Sequence, residues 1–214
     1  VMDGGRWQQS QPLEALVTNR MLREGTLRYS AGEIAEKLDY YGAWLELSSA
    51  SEYAYDTLYS LNKYLPQTLE ILESIVKEPV FPEKELGVII ENNIQQCMGN
   101  SSKVDFLAQR ALMKAVYGEV HPCGRLVQKE DYGRINPAVL REFYDRHYHS
   151  RNCTIYVSGK VGDDCVRRIE DMFGKEVFGK DFRKPERREF VPVSSMDKRI
   201  FVEHADAMQS SVSM

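Results

Sequence analysis

Gln11-Pro-Leu-Glu-Ala-Leu-Val-Thr-Asn-Arg-Met-Leu-Arg-Glu-Gly-Thr26 is the stretch on which the fold turns. Leu13, Leu16, Val17 and Met21 recur at the three- and four-residue spacing of an amphipathic helix. Gly25 follows as a residue that tolerates a left-handed C-cap. Leu16 and Arg20, four residues apart, share one helical face, with Asn19 between them.

Downstream, Ser30-Ala-Gly-Glu33 forms a capping box, and the helix it starts runs to about Leu38 and stops before Gly42. From Ala43 to Leu61 the composition shifts to Trp, Tyr, Leu, Ser and Thr, which predicts two antiparallel strands joined near Ala50 to Glu52. Pro66 opens a helix through Leu69, Leu72, Ile75 and Val76, and Pro79 ends it. Pro82 opens another through Leu86, Ile89, Ile90 and Asn93, and a further helix spans about Val104 to Val116. After a loop with His121-Pro-Cys-Gly124, Asn136-Pro137 caps a helix through Leu140 and Phe143 to His147. A strand at Cys153 to Ser158, a helix from Asp164 to Phe173 and a strand near Arg199 to Val202 complete the reading. The expected class is α+β, an antiparallel sheet with helices packed against it.

With 214 residues, 43% of them hydrophobic, the chain can bury a sizeable core. Its 28 basic residues against 32 acidic ones give a formal charge of -4, which points to neither a nucleic-acid nor an anionic-membrane partner. The basic run from Lys180 to Arg188 is interrupted by acids and by Pro185, and reads as a solvated linker. Cys97, Cys123, Cys153 and Cys165 are too scattered for a C-x-x-C site or a disulfide framework. No apolar run is long enough for a membrane segment, and no signal peptide opens the chain. The opening at Val1 suggests a fragment, so a targeting segment can have been removed and the compartment stays unassigned.

Several segments, in this order, resemble the pitrilysin/insulinase family of zinc peptidases, which includes the mitochondrial processing peptidases and the respiratory-complex core proteins. They are Arg20-Met-Leu-Arg-Glu-Gly-Thr26, Tyr41-Gly-Ala-Trp-Leu45, Val88-Ile-Ile-Glu-Asn-Asn93 and His121-Pro-Cys-Gly-Arg125, with Leu140 to Tyr148 and Thr154 to Gly159 behind them. The resemblance implies a half-subunit of the processing-peptidase type, with residues 1–205 as its domain and 206–214 as the start of a truncated following domain.

Active members of that family carry an inverted H-x-x-E-H motif, in which two His hold zinc and the Glu activates a water. A Glu on a later helix completes the ligands. On this frame the first His position is Leu16, the Glu position Asn19, the second His position Arg20 and the distal ligand position Asn92. Leucine has no lone pair, an amide is no general base near neutral pH, and a guanidinium repels a cation. No catalytic, cofactor or metal residue is therefore assigned, and zinc is expected only in an active partner. Other candidates are weaker. His147 and His149 lack a third ligand, His121 belongs to a loop motif with a structural role, and His204 sits near a strand end. Asp39 with Glu46, and Glu83 with Glu85, read as surface acids, and the tyrosines from Tyr53 to Tyr64 mostly as core.

The resemblance implies a non-catalytic homologue that pairs with a catalytic zinc-peptidase subunit or half of the same fold. Together they would enclose an extended peptide, bound along a strand edge within Ala43 to Tyr59. The alternatives are an active zinc metalloendopeptidase with a displaced metal site, and a structural assembly subunit like the respiratory-complex core proteins.

Overall fold

The computed structural model describes residues 1–179, 199–205 and 207–214. Helix α1 spans Glu14–Met21 and gives way to a 3-10 turn at Leu22–Glu24. Gly25 then adopts φ 153° and ψ 144° rather than the left-handed C-cap expected of it. This backbone still favours glycine, and it bends the chain into a bridge between Gly25 and Ser30.

Helix α2, Ala31–Tyr40, begins at the predicted capping box. The Glu33 carboxylate accepts from the Ser30 amide at 2.8 Å, and the Ser30 hydroxyl accepts from the Glu33 amide at 3.3 Å. Strands β1, Trp44–Ser49, and β2, Ala54–Tyr59, form an antiparallel hairpin in which Trp44 faces Tyr59 and Ser49 faces Ala54. Alternation turns Leu45, Leu47, Ala54, Asp56 and Leu58 inward. Tyr55 and Tyr59 take the opposite face and are exposed, as is Tyr53 at the start of the hairpin's second arm. These tyrosines are therefore not core residues as expected, because the inward register of β2 belongs to the intervening positions.

Helices α3, Leu65–Lys77, α4, Glu83–Ser101, and α5, Val104–Tyr117, follow as predicted, and a short α6, Lys129–Tyr132, was not anticipated. Helix α7, Pro137–His147, starts at Asn136, whose side-chain oxygen accepts from the Ala138 and Val139 amides, each at 3.1 Å. Asn136→Ala strands both donors, so a loss of about 1 kcal/mol is expected in the urea midpoint. A shift below about 0.3 kcal/mol would show the cap to be dispensable. Helix α8, Asp163–Ile169, continues into a π turn at Glu170–Gly174.

Two predicted strands do not form. Cys153 makes only an isolated bridge to Met2, and residues 154–158 are extended without a ladder. Thr154 pairs with Val1, and past Val1 no residue of this sequence runs alongside to continue the pairing. The segment near Arg199 to Val202 is not a strand either. Its Ile200 and Val202 lie beside Phe106, Leu107 and Ala111 of α5, a helix surface that offers no free backbone groups to a strand. The segment from Lys180 to Arg188 lies outside the described residues.

Helix α1 is the centre of the core, packed by α7, β1, β2 and α4. Ala15, Val17, Thr18, Asn19 and Met21 are all buried, together with Leu140 and Phe143 of α7 and with Tyr148 just beyond it. This helix is enclosed on almost every side, so its polar residues must find partners inside the protein. Among the described residues no helix is long and apolar enough to cross a membrane.

Candidate functional site

The chain is tightly tied where it turns into α1. Leu13 sits at φ 73° with its side chain buried, a strained backbone for a branched residue. The buried Glu14 carboxylate accepts from the Ser10 amide at 2.6 Å and from its hydroxyl at 2.9 Å, which holds the preceding loop to the helix.

From this helix the residues at the family's catalytic positions go to separate neighbours. Leu16 is half-buried and packs against the hydrophobic core. Asn19 is fully buried, and its amide nitrogen donates to Asp56 Oδ1 at 2.7 Å and to the Tyr148 hydroxyl at 3.3 Å. Arg20 reaches α4, where Nη1 donates to Asn93 Oδ1 at 2.8 Å, and Asn93 donates in turn to the Ile89 carbonyl at 2.8 Å. Asn92 and Glu91 are exposed. The residue that meets α1 is thus Asn93, one step of about 100° along the helix from the sequence-derived position.

Two members of this network were not singled out from the sequence. Asp56 and Tyr148 join α1 to β2 and to the end of α7. Burial pushes the Asp56 carboxyl up to about 6, with the Val1 ammonium and the Asn19 hydrogen bond pulling the other way. Its Oδ2 is sealed from solvent without a hydrogen-bond partner among the described residues. Burial, then the Asp56 charge, holds the Tyr148 hydroxyl well above its ordinary value, so it remains a neutral donor. The signal for Asp56 was available in the alternation of β2, which points it inward beside Ala54 and Leu58.

The remaining histidines are embedded in packing. His121 stacks on Tyr117 at 4.7 Å, meets Trp7 edge-on at 5.6 Å, and accepts at Nδ1 from the Cys123 amide at 3.0 Å. His147 Nδ1 lies 3.1 Å from the Asp3 carbonyl, and His149 is fully buried. His204 is not in a strand. Asp39, Glu46 and Glu83 are exposed. Among the described residues no group of three His, Cys, Asp or Glu is placed to hold a metal. The family's zinc does not fit these residues, since one ligand position is aliphatic, one carries a guanidinium committed to Asn93, and the distal amide faces solvent.

Comparison with known proteins agrees with this frame. The sequence model described as "Insulinase (Peptidase family M16)" matches residues 15–123, and the one described as "Peptidase M16 inactive domain" matches residues 134–214. The chain belongs to the insulinase family, peptidase family M16. It is 28% identical over 173 residues to the uncharacterized zinc protease YmxG of Bacillus subtilis, covering 78% of this chain and 42% of that protein. Similarity to the mitochondrial-processing peptidase subunit alpha of Solanum tuberosum is 24% over 157 residues, 72% of this chain and 30% of that protein. Among solved structures, a peptidase M16 inactive domain from Pseudomonas fluorescens superposes with a TM-score of 0.77 at 25% identity, over 86% of this chain and 46% of that one. Pitrilysin shares the fold with a TM-score of 0.71 at 22% identity, over 91% of this chain and 21% of that one. The chain thus spans less than half the length of each of these relatives.

Proposed function

We propose that this chain is a non-catalytic M16 half that pairs with a zinc-bearing subunit or half of the same fold and completes a peptide-enclosing chamber. The observation that carries the reading is the fate of the catalytic positions, with Asn19 and Arg20 both spent on structural hydrogen bonds to Asp56, Tyr148 and Asn93. A carboxylate at position 19 would face the Asp56 carboxylate across the same short contact, so the network favours an amide there. The similarity to an M16 inactive domain and to a processing-peptidase alpha subunit supports the same direction.

In this reading residues 1–205 form one wall of the chamber, and 206–214 lead into the following domain. The peptide is extended and adds to the outer edge of β1, since the inner edge is taken by β2. The chain holds no zinc of its own.

The test is zinc content by elemental analysis, on protein loaded with zinc and desalted into chelator-free buffer, together with a peptide-hydrolysis assay. Expected are zinc near background and no hydrolysis by the chain alone. An M16 partner carrying H-x-x-E-H is expected to cleave with higher kcat/KM once this chain is added. One tightly held zinc per chain, with hydrolysis abolished by chelation, would overturn the reading in favour of a displaced active site. A stable complex with no effect on kcat/KM would make the chain an assembly subunit.

A further inference from the structure

Between β2 and residues 154–158 lies an open groove of about 840 Å³, lined by Tyr55, Leu58, Leu69, Ile155, Val157 and Phe173 among others. Its width is set at one end by Met2, which bridges antiparallel to Ala54 on one wall and to Cys153 on the other. At that point the gap is one strand wide. At the far end the walls are joined again, where the Asn62 side chain donates to the Lys160 carbonyl at 2.7 Å.

The hydrogen bonds fix the register of whatever fills the gap. Met2 and Ala54 exchange both backbone bonds, each at 2.9 Å. Antiparallel pairing alternates every two residues, so the amides of Asp56 and Leu58 face the groove, while those of Tyr55 and Thr57 face β1. On the other wall Thr154 donates to the Val1 carbonyl at 2.9 Å and accepts from the Val1 nitrogen at 3.0 Å. The same alternation turns the amides of Tyr156 and Ser158 into the groove. The Val1 nitrogen itself is used as a strand amide would be. Both walls therefore present a row of backbone groups at the spacing of a central strand, and Val1–Met2 is the end of that strand.

We propose that the groove is a strand position, filled by about four residues running into Val1 from its amino-terminal side. The residue just before Val1 pairs with Asp56, the second with Tyr156, the third with Leu58 and the fourth with Ser158. This strand joins the β1–β2 hairpin to residues 153–158 in one antiparallel sheet. It also covers the apolar side chains of Ile155 and Val157, which are 45% and 46% exposed without it. Continuity selects a segment of the same polypeptide over a separate peptide, because a strand in this register ends at the Val1 nitrogen with no room for a second backbone. The strand completes the sheet whether or not the chain acts as a chamber wall.

Residue-resolved amide hydrogen exchange on the intact native polypeptide tests it. Asp56, Leu58, Tyr156 and Ser158 are expected to exchange at least about 100-fold slower than an open chain, and equally so at high and low protein concentration. Tyr55 and Thr57, bonded to β1, report that the hairpin is folded. Fast exchange at the four groove-facing amides with Tyr55 and Thr57 still protected would overturn the proposal. So would a native chain that mass spectrometry finds to begin at Val1. Protection that appears only on adding a partner or raising the concentration would assign the groove to a strand from another molecule, and would equally overturn the proposal.

Discussion

Asp56→Asn is expected to raise stability near pH 8 by about 1–3 kcal/mol and to flatten the dependence of stability on pH between about 4 and 6. The carboxyl lies between α1, β2 and Tyr148, and burial lifts its pKa from 3.8 to about 6. A raised carboxyl pKa means that the folded state binds the proton more tightly than the unfolded state. The group is therefore at no disadvantage below 3.8, loses stability progressively as pH rises from there to about 6, and carries a constant penalty above it. Full conversion of the shift gives the upper figure, and the partial exposure of the residue as a whole argues for the lower part of the range. An amide at this position still accepts from Asn19 Nδ2, so the hydrogen bond survives while the buried charge goes. Denaturant midpoints across the pH range read the effect. A variant less stable than the parent near pH 8, with an unchanged slope, would show that Asp56 is ionised and paired.

The same residues show what the sequence makes legible. Helix starts at Ser30 and Asn136 were readable because a cap and its recipients are three residues apart and need no knowledge of the rest of the chain. The hairpin was readable for a similar reason, its two arms being adjacent. The strand at Cys153 to Ser158 was read from its own β-branched and aromatic residues, but a strand exists only with a partner, and its partner position lies against Val1, some 153 residues away in sequence. The tyrosines of β2 were misplaced by composition alone, since a one-residue shift of register exchanges the two faces of a strand.

At the candidate site the loss of ligands could be seen at Leu16, Asn19 and Arg20, because residue type alone decides whether a lone pair or a base is available. What took their place could not. Which of Asn92 and Asn93 faces α1 depends on one helical step. The pairing of Asn19 with Asp56 spans 37 residues and depends on how β2 sits over α1. The site's chemistry was local and its replacement was tertiary.

Phe143→Ala is expected to destabilise the protein by about 3–5 kcal/mol, more than the loss of the Asn136 cap or the change at Asp56. Phe143 is fully buried on the face of α7 that packs against α1, and its ring lies 4.4 Å from that of His147. Truncation removes most of an aromatic side chain and leaves a cavity that two rigid helices cannot close. Phe143→Leu keeps part of the volume and should lose no more than about half as much. If this chain acts as a wall and not as a catalyst, its contribution to a partner's activity should follow the folded fraction alone. The partner's kcat/KM in the presence of Phe143→Ala should then fall with the thermal or urea transition of this chain and recover fully at temperatures where the variant is folded. A folded Phe143→Ala chain that binds its partner yet gives no stimulation would show that the α1–α7 contact does more than hold the wall in place.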